Sequence, residues 1–277
     1  MTSSNQLEQA GRFRQMHRGA APLLLANAWD AGSARLIERL GLPAVATTSG
    51  GVAWALGYRD GERAPLDEVL GVTARIVRAV AVPVTADLET GYGESLGELA
   101  ETIRRAIEAG VVGVNIEDSR PGHGARRSAE EAAERVAAAR EASEDAGVPI
   151  VINARVDEWM TESDAPEAER LERATARARA YLEAGADCIF PIGLSAPSTL
   201  RALVRSLAAP VNVIGGPSSP TLAELGALGV ARVSLGTRLS ALALGAVDGA
   251  LRAVLETGRF DALRSEFGYP DAERLFD

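Results

Sequence analysis

From Leu23 onward the chain repeats one unit, and that repeat leaves few folds open. The unit is an apolar run of about five residues, a loop, an Ala/Leu/Arg/Glu-rich stretch, and often a Gly or Pro before the next run. The runs with strand composition are Leu23–Ala26, Ala44–Thr47, Pro83–Ala86, Val111–Ile116, Pro149–Asn153, Asp187–Pro191, Val211–Ile214 and Val233–Leu235. Between them lie helical patterns such as Ser95–Ala109, with Leu96, Leu99, Ile103 and Ile107 on one face and Gly110 as a stop. Strands alternating with helices at this spacing pair in parallel through right-handed crossovers, and eight of them close into a (β/α)8 TIM barrel. An open doubly wound sheet is the alternative, but no Gly-x-Gly-x-x-Gly follows the first strand, so nothing argues for a dinucleotide. A leading helix over residues 3–18, with Leu7, Phe13 and Met16 apolar, is expected to plug one barrel end. No linker divides residues 1–277, so a single domain is expected, with 239–277 as a helical extension.

Composition narrows the chemistry. A net charge of −9 argues against nucleic acid and anionic membranes as partners. No apolar run approaches the roughly 18 residues of a membrane span, and the first residues lack signal-peptide order, so a cytoplasmic protein is expected. All 29 basic residues are arginine. Without an ε-amino group, neither Schiff-base aldolase nor pyridoxal phosphate chemistry is open to it. The one cysteine, Cys188, lies in an apolar run and reads as core.

In such a barrel the site gathers at the C-terminal ends of the strands. That ring reads Asn27 and Asp30; Thr48, Ser49 and Gly50; Asp87 and Glu89; Asn115, Glu117 and Asp118; Asn153, Arg155 and Asp157; then Gly193, Gly215-Gly216 and Gly236-Thr237. Along an extended backbone Asp87 and Glu89 share a side. Asp87 and Glu117 on neighbouring strands suit one Mg²⁺, bound directly or through water, better than zinc, because no His or Cys joins the ring. Arg155 is the one basic group in this ring, and its planar fork suits a carboxylate or phosphonate. Plainer roles stand beside these: a solvated loop at Asp87–Gly93, a helix cap at Glu117-Asp118, and an ion pair from Arg155 to Asp157 or Glu158.

The segments T-T-S-G (47–50), L-G-Y-R-D-G (56–61), A-D-L-E-T-G-Y-G (86–93), N-I-E-D-S (115–119), N-A-R-V-D (153–157) and G-A-D-C-I-F (185–190) together resemble the isocitrate lyase/phosphoenolpyruvate mutase superfamily. The resemblance implies a Mg²⁺-dependent barrel that cleaves or rearranges C–C or P–C bonds of small 2-oxo or 2-hydroxy acids through an enolate-type oxyanion. It implies metal-site roles for Asp87 and Glu117, with Glu89 acting through water. Thr48, Ser49 and Gly50 match the segment that binds the substrate carboxylate, joined by Asn115 from the ring; Asp60 is the loop acid near the metal, and Arg155 the substrate arginine. It further implies a dimer or tetramer that exchanges C-terminal helices. One stretch departs from the pattern. The lyase branch carries a Lys-Lys-Cys-Gly-His-like lid after strand four, whereas this chain reads S-R-P-G-H-G-A-R-R over residues 119–127. His123 is the candidate substitute acid or base there. Two rival readings stand: a metal-independent barrel using Gly215-Gly216 and Gly236-Thr237 as a phosphate cradle, and a non-catalytic 2-oxo acid-binding relative.

Overall fold

The computed structural model describes residues 4–122, 125–160 and 163–277. Eight parallel strands form its centre: β1 Leu23–Ala28, β2 Val45–Thr47, β3 Val84–Asp87, β4 Gly113–Glu117, β5 Val151–Val156, β6 Cys188–Pro191, β7 Asn212–Ile214 and β8 Arg232–Ser234. They pair in the order β6-β5-β4-β3-β2-β1-β8-β7, and a parallel bridge from Ile189 to Val211 brings the two ends together. The expected TIM barrel is what forms.

The helices are α1 Ser4–Met16, α2 Ala31–Arg39, α3 Ser49–Leu56, α4 Leu66–Ala79, α5 Leu96–Glu108, α6 Ala129–Asp145, α7 Glu167–Glu183, α8 Pro197–Leu207, α9 Leu222–Ala227, α10 Arg238–Thr257 and α11 Tyr269–Glu273. Each crossover helix turns an apolar stripe inward. In α5, Leu99, Ile103 and Ile107 are buried, while Leu96, expected on the same face, stays exposed at the first turn. That helix starts where Ser95 and Glu98 make a reciprocal capping box, which satisfies two otherwise orphaned N–H groups.

Helix α1 covers the end of the barrel where the strands begin. Phe13 is fully buried, with its ring against Gly113, the first residue of β4. Gln6 donates to the Ile107 and Val111 carbonyls at 2.8 and 3.1 Å, and Arg14 pairs with Asp187 at 2.9 Å.

The barrel interior is not uniformly apolar. Asn115, Asn153, Asn212, Arg232 and Ser234 are all buried within it, on β4, β5, β7 and β8. At the other extreme, α10 leaves the barrel with Ser240 as its buried residue and with Leu242, Leu244, Val247, Leu251 and Leu255 exposed. The tail returns to α2, where Arg35 Nε and Arg39 Nη1 donate to the carbonyls of Leu275 and Asp271.

Candidate active site

At the C-terminal ends of the strands lies a cavity of about 410 Å³. Its wall includes Thr48, Ser49, Asp60, Asp87, Asn115 and Arg155, so six of the expected site residues meet in one place. Asn27, Gly193, Gly236 and Thr237 of the expected ring also line it. Asp30 does not; its carboxylate accepts from Ser33 N at 2.7 Å and caps α2.

The loop after β2 becomes α3 without a spacer. Thr48 is the N-cap of that helix, and Ser49 opens its first turn. Thus the positive end of an eight-residue helix faces the cavity, a favourable place for an anion. Gly50 allows this approach: a Cβ there would lie 2.7 Å from Thr237 Cγ2 and 3.1 Å from Asp60 Oδ2. The Ser49 N–H donates to Asp87 Oδ2 at 3.3 Å, and the Asp87 N–H donates to Thr47 Oγ1 at 2.9 Å, which fixes the strand-end carboxylate.

The acids divide into one cavity group and one group behind it. Asp87 and Asp60 line the cavity; Glu89 and Glu117 do not. The shared side expected of Asp87 and Glu89 fails because the strand ends at Asp87. Glu89 has φ +52°, a left-handed conformation that breaks the period-two alternation. Its carboxylate turns to the Glu62 N–H at 2.8 Å and the Tyr92 hydroxyl at 3.2 Å. Burial pushes the Glu89 carboxyl up to about 8, with Asp60 as the next contributor. Glu117 forms an ion pair with Arg155 and accepts from Ser119 Oγ, and burial raises its carboxyl above the ordinary range against the pull of Arg155. Burial raises Asp87 as well, with Arg155 opposing and Asp60 adding to the rise.

Asp118 makes no helix cap. It accepts from the Asp157 N–H at 3.0 Å, Arg177 at 3.1 Å and the Tyr181 hydroxyl at 2.8 Å, tying β4 to β5 and α7. The cap of α6 is Ser128.

Arg155 lines the cavity and is also ion-paired, so the two roles weighed for it coexist. Its Nε and Nη2 fork onto Asp157 at 2.6 and 2.9 Å, and Nη1 meets Glu117. Burial works against its charge, but Glu117 and Asp157 more than offset that and hold it firmly protonated.

Among the described residues no group of three His, Cys, Asp or Glu side chains gathers at metal-ligand spacing. The donor set suits a hard cation held by one or two carboxylates with water and substrate oxygens, which is how Mg²⁺ is commonly bound. Raised carboxyls crowded around Asp87 are what a cation would relieve.

The glycines of the expected cradle spend their N–H groups internally. Gly215 N–H donates to the Ser234 carbonyl at 2.8 Å, Gly216 N–H to Ser219 Oγ at 2.9 Å, and Gly236 N–H to Asn27 Oδ1 at 2.8 Å. Three of the four N–H groups expected to form a phosphate cradle are thus already used, which leaves Thr237 as the member of that set with its N–H still to place among the described residues.

Sequence reasoning missed Arg238, Ser234, Met160 and Phe190, which line the cavity too. Arg155 is therefore not the sole cation there. Arg238 heads α10 and donates from Nε to the Gly215 carbonyl at 2.7 Å, and its guanidinium packs where a Gly216 Cβ would be.

In the lid after β4, Ser119 and Arg126 pair in an antiparallel bridge and the Arg120 N–H donates to the Ala125 carbonyl at 3.1 Å. Buried Arg127 anchors it to Glu94 and Glu131, both at 3.1 Å. Gly122 approaches the Asp60 loop so closely that a Cβ on Gly61, itself at φ +95°, would sit 3.0 Å from the Gly122 Cα. His123 lies outside the described residues. Cys188 is fully buried in β6, and burial pushes its thiol up to about 12, so it is core rather than nucleophile.

Comparison with known proteins agrees with this architecture. Residues 13–255 match the phosphoenolpyruvate phosphomutase family. A crystal structure from Burkholderia cenocepacia, of a protein provisionally named a phosphonomutase, is 46% identical and superimposes with a TM-score of 0.85, covering 88% of this chain and 99% of that one. A second from the same organism, provisionally named a lyase/mutase, is 36% identical with a TM-score of 0.90 over 99% of this chain and 97% of the other. The 2-methylisocitrate lyase of Escherichia coli is 33% identical over 207 residues, 72% of this chain and 67% of the enzyme. With the family matched from residue 13 to 255 and relatives above 30% identity over most of its length, the chain belongs to the phosphoenolpyruvate phosphomutase family, within the isocitrate lyase superfamily.

Proposed function

We propose that the protein is a Mg²⁺-dependent enzyme that cleaves or rearranges a C–C or P–C bond in a small 2-oxo acid, 2-hydroxy acid or phosphonate. The observation that carries this reading is the pairing, in one cavity wall, of the Asp87 carboxylate with the N-terminus of α3. One receives a cation and the other an anion, as a chelated 2-oxo acid requires. When bound, Mg²⁺ supplies Lewis-acid stabilisation of the oxyanion that develops as the bond breaks.

The chain's own groups do the rest. Asp87 would hold the metal, with Asp60 beside it and Glu89 and Glu117 supporting the carboxylate cluster from behind. Thr48, Ser49 and Gly50 receive the substrate carboxylate at the helix end, and Asn115 donates an amide N–H to a substrate oxygen. Arg155, locked by Asp157 and Glu117, contributes fixed positive charge toward the oxyanion and needs no reorganisation to do so. His123 would hold or deliver a proton from the lid.

Titration of purified protein with Mg²⁺ tests the metal assignment. Asp87→Ala is expected to weaken binding at least tenfold with the fold intact; unchanged affinity refutes the assignment. The lid lacks the cysteine of the lyase branch and offers only His123 and arginines, and arginine does not donate a proton near neutrality, so the protein is expected to be a poor 2-methylisocitrate lyase; carbon protonation by a well-positioned acid is typically worth about 10²- to 10⁴-fold. Turnover of that substrate above roughly 10 s⁻¹, an ordinary enzymatic rate, contradicts this reading of the lid.

A further inference from the structure

Arg232 is fully buried inside the barrel, on a strand whose other residues are apolar or small. Among the described residues no carboxylate lies within ion-pair distance of it, although burial leaves its guanidinium at about 10, still protonated near neutrality. The Asp87 carboxylate favours its charge only from beyond ion-pair distance, and a buried guanidinium with no direct ion pair works against folding, so packing alone does not account for it. Its hydrogen bonds run toward the cavity. Nε donates to Ser234 Oγ at 3.1 Å and Nη2 to Asn115 Oδ1 at 3.3 Å, and both recipients line the cavity wall.

The Asn115 amide has a second neighbour, Asn153, whose Nδ2 donates to the same Oδ1 at 2.8 Å. Two facing asparagines alone have two equivalent arrangements, because either amide can offer its oxygen or its nitrogen. Arginine can only donate. Next to Arg232, Asn115 must present Oδ1 inward, which turns Nδ2 and its N–H groups toward the cavity. In the opposite arrangement the Asn115 oxygen would face an incoming anion and repel it.

We propose that Arg232 is a positioning residue that fixes the Asn115 amide in its anion-donating orientation. Ser234 passes the same constraint to Asn212, donating to its Oδ1 at 3.2 Å, so the constraint spans β4, β5, β7 and β8. This inference rests on the reading that the cavity takes an acid anion, and two readouts separate the two claims.

The first readout needs no ligand. In protein labelled with ¹⁵N-asparagine, the Asn115 side-chain amide should give one set of signals in the wild type and in Arg232→Lys, which is also donor-only. In Arg232→Gln, which can accept as well as donate, that set should double or broaden. Arg232→Met, apolar and of similar length, makes the same test if the glutamine variant does not fold. An unchanged Asn115 signal in the uncharged variant overturns the proposal.

The second readout is calorimetric binding of oxalate with Mg²⁺. Arg232→Gln should weaken it about tenfold, Arg232→Lys should stay within about threefold, and Arg232→Gln in an Asn115→Leu background should cost nothing further. A full second loss in that background would mean that Arg232 acts on the anion directly, and it would overturn the proposal. Wild-type protein that binds no oxalate contradicts the acid-anion reading, while the amide spectrum still decides the role of Arg232.

Discussion

Arg155 Nε and Nη2 grip the two Asp157 oxygens at 2.6 and 2.9 Å, two residues apart on one strand end. The fork aims the guanidinium at the cavity and leaves Nη1 for Glu117. Arginine is thus held as a fixed charge rather than a mobile one.

Lysine at this position keeps the charge but cannot make two parallel bonds to Asp157. Arg155→Lys is expected to lower kcat/KM at least about 100-fold, within the range seen when a preorganised oxyanion donor is lost. Steady-state kinetics on whichever acid is turned over checks this, and a loss below fivefold would show that the fork is dispensable.

Gly50→Ala places a methyl group against Thr237 and the Asp60 carboxylate. Overpacking of this kind costs about 1–3 kcal/mol, and here the displaced groups line the cavity. Affinity for oxalate with Mg²⁺ should therefore fall further than the melting temperature indicates. Calorimetry and a thermal melt on the same variant give both numbers, and equal losses would place Gly50 in the scaffold alone.

His17 is buried under the barrel, its ring edge-on to Phe13 at 4.8 Å, with Nδ1 at 2.9 Å from the Phe13 carbonyl. Burial, then Arg232, lowers its pKa from 6.5 to about 4, with Asp187 opposing and Arg14 adding a smaller push downward. The unfolded chain binds this proton more readily than the folded one, so His17 costs stability as pH falls from 6.5 to 4 and costs no more below that. The full effect is about 3 kcal/mol. Comparing denaturant midpoints of wild type and His17→Phe at pH 7 and pH 4 isolates it; the variant should lose less, and identical losses would contradict the assignment.

Five large apolar side chains of α10, together with Phe260, Leu263, Phe267, Tyr269 and Phe276, stand exposed in the single chain. That surface is larger than a stable monomer ordinarily leaves wet, and its proposed partner is the same segment of a second copy. Light scattering at micromolar concentration should give a dimer or tetramer, and Leu251→Glu should shift it toward monomer. A wild-type monomer contradicts the proposal.

Most of the barrel was legible because strand and helix alternation is a local signal repeated along the chain. The ends of strands were less so. β5 runs on to Val156, so Arg155 lies within a strand rather than after it. Glu89 could not be placed by alternation, since a left-handed backbone at a non-glycine residue is not written in its side chain. Arg238 was hidden for another reason: it is the first residue of α10, one position past the Gly236-Thr237 strand end, and it reaches the cavity by turning back onto the Gly215 carbonyl. Arg232 did leave a trace. Arg232 and Ser234 alternate with Val233 and Leu235, which marks an inward polar face on a buried strand.

The most direct test of the account is a paired assay with Mg²⁺ or with EDTA, on wild type and Asp87→Ala. It supplies oxaloacetate, phosphonopyruvate and 2-methylisocitrate and follows pyruvate, phosphoenolpyruvate and substrate loss. Turnover of at least one of the first two acids is expected with Mg²⁺, abolished by EDTA and by Asp87→Ala. Turnover that persists undiminished in EDTA, or in Asp87→Ala with Mg²⁺, would contradict it.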